Sequence, residues 1–138
     1  MQVRVPVEEF TTPDPIIAET GTSIDEVWRL MDRHGVRHLP VVRDDEVVGV
    51  VSDRDVRVVL GLSAAEKLQV QAADVMSTDL VTVTNDTPLD EVAYLMSNKK
   101  VGSVLVKDQA GDLVGIFTIT DALNALIEIV RKGSPASK

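Results

Sequence analysis

The chain has 138 residues, 44% of them hydrophobic and 26% charged, which is the composition of a folded domain rather than a disordered segment. Cysteine is absent, so disulfides, a thiol nucleophile and a cysteine-based zinc site are excluded. Lys and Arg number 14 against 22 Asp and Glu, a formal charge of −8, and aromatic residues make up 3%. That balance disfavours nucleic acid, which needs many basic contacts to phosphate or a stacking platform for bases. No apolar run reaches the length of a membrane span, and the N-terminus lacks the apolar core of a signal peptide, so a cytoplasmic protein is expected.

Residues 1–14 read as an N-terminal segment. From residue 15 the chain is written twice, with a shift of about 65 residues. Thr22-Ser23-Ile24-Asp25-Glu26-Val27 falls on Thr87-Pro88-Leu89-Asp90-Glu91-Val92, Val36 on Val101, Val41 on Val106 and, after one inserted loop residue, Val48-Gly49 on Val114-Gly115. Each copy opens with a short extended piece, around Ile16-Ile17 and over residues 80–83. A helix follows, opened by Thr22 or Ser23 and by Thr87, with Asp25, Glu26 and Asp90 as capping-box partners and Pro88 at the first helical position. Its buried stripe is Ile24, Val27, Leu30 and Met31, copied as Leu89, Val92, Leu95 and Met96. Two β runs come next, residues 39–42 with 47–51 and residues 103–106 with 113–117, and a second helix closes each copy, residues 53–60 and 119–131. Residues 63–73 form a linker with a short helical crossing, the second copy runs over 74–131, and residues 132–138 read as a frayed tail. The predicted fold class is α+β (α/β): two β-α-β-β-α repeats, 15–62 and 74–131, packed sheet to sheet with pseudo-twofold symmetry, because a repeat of this size buries too little apolar surface alone.

The two strand-to-helix corners match: Gly49-Val50-Val51-Ser52-Asp53-Arg54-Asp55 and Gly115-Ile116-Phe117-Thr118-Ile119-Thr120-Asp121. Each has a hydroxyl at the strand end and a carboxylate three residues on. Helix capping alone accounts for those residue types. A second use is open at the same atoms. The helix N-terminus offers N–H groups and partial positive charge to a phosphate, and an ionised carboxylate accepts hydrogen bonds from two neighbouring sugar hydroxyls. Duplicated corners facing a cleft between pseudo-symmetric halves then suggest two nucleoside-phosphate sites.

With its glycine–hydrophobic–x–Ser/Thr–x–x–Asp corners, its Arg37-His38-Leu39-Pro40-Val41-Val42 strand and its Asp74-Val75-Met76 lead-in, the chain resembles a tandem pair of cystathionine β-synthase (CBS) domains, a Bateman module, over nearly its whole length. The resemblance implies adenosine-containing ligands (AMP, ADP, ATP, sometimes S-adenosylmethionine, with or without Mg²⁺), a regulatory role toward a partner protein, and homodimerisation. Carried onto this chain, it assigns Asp55 and Asp121 to ribose hydroxyls, and Ser52 and Thr118, with Arg54 or Thr120, to phosphates. Adenine walls fall near Ile16, Ile17, Ala18 and Val36 in one site and near Val81, Thr82, Val83 and Val101 in the other. The second copy has Gly102-Ser103 where the first has Arg37-His38, so the sites are unequal; the second must draw on Lys99, Lys100 or Lys107.

His34 and His38 are four residues apart, but Gly35 between them ends the helix, so a shared metal is not expected. His38 near phosphates competes with a solvated surface histidine. Asp44-Asp45-Glu46 reads as a solvated hairpin turn, and Met31, Met76 and Met96 as core fillers. Trp28 marks either a partner face or the core. With no nucleophile–base pair or phosphate-cradling Walker loop, the reading is a non-enzymatic adenine-nucleotide sensor that modulates a partner protein. Its alternatives are a ligand-free dimerisation scaffold and, less favoured, a nucleic-acid- or S-adenosylmethionine-binding module.

Overall fold

Two separate β-sheets organise the chain. The computed structural model describes residues 5–132, and it divides into a unit of Pro15–Leu80 and a second unit that joins the residues up to Asp14 with those from Val81 onward. In chain order a 3-10 turn (Val7–Glu9) is followed by β1 (Thr12–Pro13), β2 (Ala18–Glu19), α1 (Ile24–His34), β3 (His38–Arg43), β4 (Glu46–Ser52), α2 (Asp53–Leu60), α3 (Ala64–Lys67) and α4 (Ala72–Val75). Then come β5 (Thr82–Thr84), α5 (Leu89–Lys99), β6 (Ser103–Lys107), β7 (Leu113–Thr118) and α6 (Ile119–Lys132). The first unit holds a sheet of order β2-β3-β4, the second a sheet of order β1-β7-β6-β5. The architecture is mixed α+β with the repeated helix–hairpin–helix order. Among the described residues no helix is long and apolar enough to cross a membrane.

Each repeat pairs its first strand in parallel with the hairpin that follows its first helix. Ala18 lies opposite Val41, and Val83 opposite Val106. The first strand therefore forms two residues later than the Ile16-Ile17 dipeptide suggests, and the second begins at Thr82 rather than residue 80, where partners on the hairpin are available. Ile24, Val27, Met31, Leu39, Val41, Val51 and Val56 build the first core; Val7, Val92, Met96, Val104, Val106 and Phe117 build the second. Trp28 and Met76 are both half-buried against the first core.

Helix starts follow the sequence reading in part. Ser23 Oγ caps α1, accepting from the Glu26 N–H at 3.2 Å, while Thr22 Oγ1 accepts from the Glu19 N–H at 2.9 Å. The Glu26 carboxylate meets Arg29 at 3.0 Å instead of reaching back as a box partner. Pro88 stands at the N-cap of α5, one place earlier than expected, and no side chain caps that helix; the Thr87 hydroxyl lies 3.0 Å from that of Thr84. Reciprocal boxes form elsewhere, on α2 (Ser52 with Asp55) and α3 (Ser63 with Glu66). Lys132, assigned to the tail, closes α6 with its Nζ 3.1 Å from Glu128; the rest of the tail, residues 133–138, lies outside the described residues.

The chain segment that precedes each repeat completes the other unit. Upstream of the first repeat, Val7 is fully buried in the second core, its N–H donates to Thr87 O at 2.8 Å, and Thr12 pairs with Ile116 on β7. Upstream of the second repeat, Ala72 is fully buried in the first core, its N–H donates to Thr22 O at 2.8 Å, and Ser77 bridges Val50 on β4. The two corner glycines make room for these segments. A Cβ at Gly115 would stand 2.5 Å from the Thr12 carbonyl oxygen, whereas one at Gly49 would meet only the flexible Met76 side chain. Gly115→Ala therefore has to push backbone aside and is expected to destabilise the protein by about 1–3 kcal/mol, with Gly49→Ala costing less because the end of the Met76 side chain can turn aside and only its Cβ, at 3.0 Å, has to give. Thermal melts of the two variants against wild type check the ranking.

Candidate functional site

The strand-to-helix corners form as the sequence pattern requires, and each is built around its carboxylate. At the first, Asp55 Oδ2 accepts from the Ser52 N–H at 3.0 Å and Ser52 Oγ accepts from the Asp55 N–H at 3.2 Å. At the second, Asp121 Oδ2 accepts from the Thr118 N–H at 2.9 Å and from the Thr118 hydroxyl at 3.1 Å, while Thr118 Oγ1 lies 3.4 Å from the Asp121 N–H. The capping role weighed above is thus present in both corners. It uses one carboxylate oxygen, Oδ2, and leaves Oδ1 out of the cap.

Antiparallel pairing brings the preceding loop to the same end of each sheet. His38 lies opposite Ser52, and the Asp53 N–H donates to Arg37 O at 2.9 Å. Ser103 lies opposite Thr118, and the Ile119 N–H donates to Gly102 O at 3.2 Å. Since β2 runs parallel to β3, and β5 to β6, Ile17 and Thr82 enter from that end as well. In the first unit Ile17, Arg37, His38, Ser52, Arg54 and Asp55 therefore share one sheet edge. Ile17 is 46% exposed, whereas Ala18 is 3% exposed and belongs to the core, as Val36 does in part. In the second unit Thr82, Thr118, Thr120 and Asp121 share the equivalent edge, with Val83 and Val101 packed against the core beneath them.

The cations divide the two corners. Arg37 and Arg54 are exposed at the first. At the second, Lys99 and Lys100 directly precede Val101-Gly102, but Lys107 lies at the far end of β6, paired with Leu113 and away from the corner. Lys100 takes a left-handed conformation, φ 57°, where the first repeat has Gly35, φ 64°; that turn fixes the approach of the loop to the strand. His34 ends α1 and His38 begins β3, so the two histidines sit on different elements. Among the described residues no cluster of three or more metal-ligating side chains occurs.

Two residues near these edges are not visible in the repeat alignment as first drawn. Thr12 lies beside Asp121, with its hydroxyl 3.2 Å from Oδ1, and Ser77 occupies the equivalent place on β4. Extending the same shift upstream of residue 15 aligns Thr12 with Ser77 and would have flagged both.

The profile of the CBS domain family matches residues 7–61 and 72–128. The solved structure of CBSX2 in complex with AMP superimposes with a TM-score of 0.75 at 29% identity, covering 91% of this chain and 98% of that one; CBSX2 is a protein of Arabidopsis thaliana. The CBS domain pair of protein MJ0100, in complex with 5′-methylthioadenosine and S-adenosyl-L-methionine, matches with a TM-score of 0.78 at 28% identity, covering 91% and 98%. Protein MJ1225 of Methanocaldococcus jannaschii is 29% identical over 127 residues, 85% of this chain and 45% of that protein. The chain thus spans less than half the length of that relative.

Burial pushes the His38 imidazole below its ordinary value of 6.5, and Arg37 acts in the same direction; the nearby carboxylates of Asp53 and Asp55 oppose it only in part. At neutral pH His38 is therefore uncharged and presents a ring nitrogen rather than a cation to the corner. A lowered midpoint means that the unfolded chain takes up the proton first. The stability tied to His38 is full above about pH 6.5 and is lost as the pH falls through the lowered midpoint. In an NMR titration the His38 imidazole should titrate below pH 6.5, and His38→Asn should flatten the loss of stability between pH 7 and pH 5; a midpoint above 6.5 would reverse the assignment.

Proposed function

The chain belongs to the CBS domain family, and from that premise we propose that it is a regulatory module that binds adenine nucleotides at its two strand-to-helix corners and acts on a partner protein. The observation that carries this reading is the duplicated corner itself. In both units an ionisable carboxylate, a hydroxyl and a helix N-terminus converge at one sheet edge, and the carboxylate keeps an oxygen free of the cap. The sugar hydroxyls donate to Asp55 or Asp121, and the phosphates take the N-terminal amides of α2 or α6 with Ser52 or Thr118. Arg37 and Arg54 make the first corner the better place for a di- or triphosphate, while the second suits a monophosphate. Ile17 and Thr82 flank the base. AMP in CBSX2, and S-adenosyl-L-methionine with 5′-methylthioadenosine in MJ0100, support an adenosine compound as the shared ligand class. The role is binding rather than catalysis, and any Mg²⁺ enters on the ligand's phosphates.

A second copy of the chain is the proposed partner of α6. Ile119, Leu123, Leu126, Ile127 and Val130 are between 47% and 70% exposed along this one helix. Ile119, Leu123, Leu126 and Val130 are spaced symmetrically about the middle of the helix. An antiparallel twofold pair then sets Ile119 against Val130 and Leu123 against Leu126 of the other copy, as a self-complementary interface requires.

Thermal-shift measurements with AMP, ADP, ATP, S-adenosylmethionine and NAD test the ligand class. A compound at one hundred times its dissociation constant adds about 2.7 kcal/mol of stability. Asp55→Ala should lower the shift without unfolding the protein, and 2′-deoxy-AMP should bind more weakly than AMP. If no adenosine compound moves the transition, the scaffold reading replaces this one. For the dimer, sedimentation of the Leu123→Asp, Leu126→Asp double variant should give a monomer where wild type gives a dimer; a monomeric wild type at micromolar concentration removes the α6 interface.

A further inference from the structure

The two corners differ in how their carboxylates are occupied. Asp55 accepts one side-chain hydrogen bond, from the Ser52 N–H to Oδ2, and its Oδ1 accepts none among the described residues. Asp121 is more heavily used. Besides Thr118, the Thr12 hydroxyl lies 3.2 Å from its Oδ1 and 3.4 Å from its Oδ2. In the first unit Ser77 takes the same backbone position, with its N–H and C=O both bonded to Val50 at 2.9 and 3.0 Å. Its hydroxyl turns instead to the Asp79 N–H at 3.4 Å and leaves Asp55 alone.

A hydroxyl aimed across both oxygens of a carboxylate makes the contact that a sugar hydroxyl makes with such a group. We infer that Thr12 is a built-in competitor for the sugar at the Asp121 corner, so that the second corner is self-occupied while the first stands open. This inference rests on the reading of the aspartates as sugar-binding groups. A nucleotide reaching Asp121 has to turn the Thr12 hydroxyl away. Thr12 sits on a strand of only two residues that ends at once in a turn, with Asp14 at φ 47° in the left-handed region that Asp tolerates, so few contacts hold it. β1 is therefore the part that yields. Occupancy of the second corner is coupled to the N-terminal strand; occupancy of the first is not.

Titration calorimetry with AMP on the full chain tests this, in the Asp55→Ala background that isolates the second corner. Adding Thr12→Val, which keeps the branched shape and removes the hydroxyl, should tighten AMP about tenfold, the size of one hydrogen bond to a charged group released from competition. Adding Thr12→Ser, which keeps the hydroxyl, should leave the affinity unchanged. Hydrogen exchange on wild type should speed up over residues 10–13 at saturating AMP and stay constant over residues 71–77. Equal affinities for the Val and Ser variants would overturn the competitor role while leaving AMP binding at Asp55 in the parent protein intact. A wild type that does not respond to AMP at all removes both the competitor and the nucleotide reading beneath it.

Discussion

Everything in either unit depends on a foreign chain segment lying directly on the strand that carries the corner glycine. In the second unit that strand is β7, and Thr12 and Pro13 lie against Ile116 and Gly115. In the first it is β4, and Ser77 lies against Val50. The close approach has a steric condition, a residue without Cβ at Gly115, and an apolar return, the complete burial of Val7 in one core and Ala72 in the other. The glycine of the repeated motif is thus a packing residue before it is anything else. It sets the strand whose end delivers Ser52 or Thr118 to the mouth of the next helix.

That delivery gives the aspartates two duties. As the third residue of α2 or α6, each ties its helix to the strand before it through an N–H, which stabilises the turn whether or not a ligand is present. The oxygen left over is available to a second donor. A single carboxylate can hold the fold and grip a guest because a carboxylate has about four acceptor sites and a cap uses one or two of them. The two corners fill the remainder differently, with a threonine hydroxyl at Asp121 and, among the described residues, no donor to Oδ1 at Asp55.

Much of this was legible in the residues. The apolar stripe of α1 and its copy in α5, the hairpins and both corners follow from period and turn chemistry, and the repeat made each half a check on the other. What escaped is long-range or competitive. β1 has only two residues and its partner Ile116 lies at the other end of the chain, so no local pattern marks it as a strand. Ser23 caps α1 as its residue type predicts, but the box partner of α1 and the cap of α5 went astray because several hydroxyls and carboxylates compete within one turn: Glu26 chose Arg29, and Thr87 chose Thr84. Lys107 looked like a phosphate partner by composition, and only the direction of β6 removes it.

The exchange of leading segments also orders events during synthesis. The first unit has all its parts once Leu80 has left the ribosome, so its contacts are of short or middle range. The second cannot close until β7 emerges to meet residues made more than a hundred positions earlier, which stay uncovered over that interval. Whatever is fused ahead of residue 5 is therefore tethered, in the finished molecule, to the half of the protein that is made last.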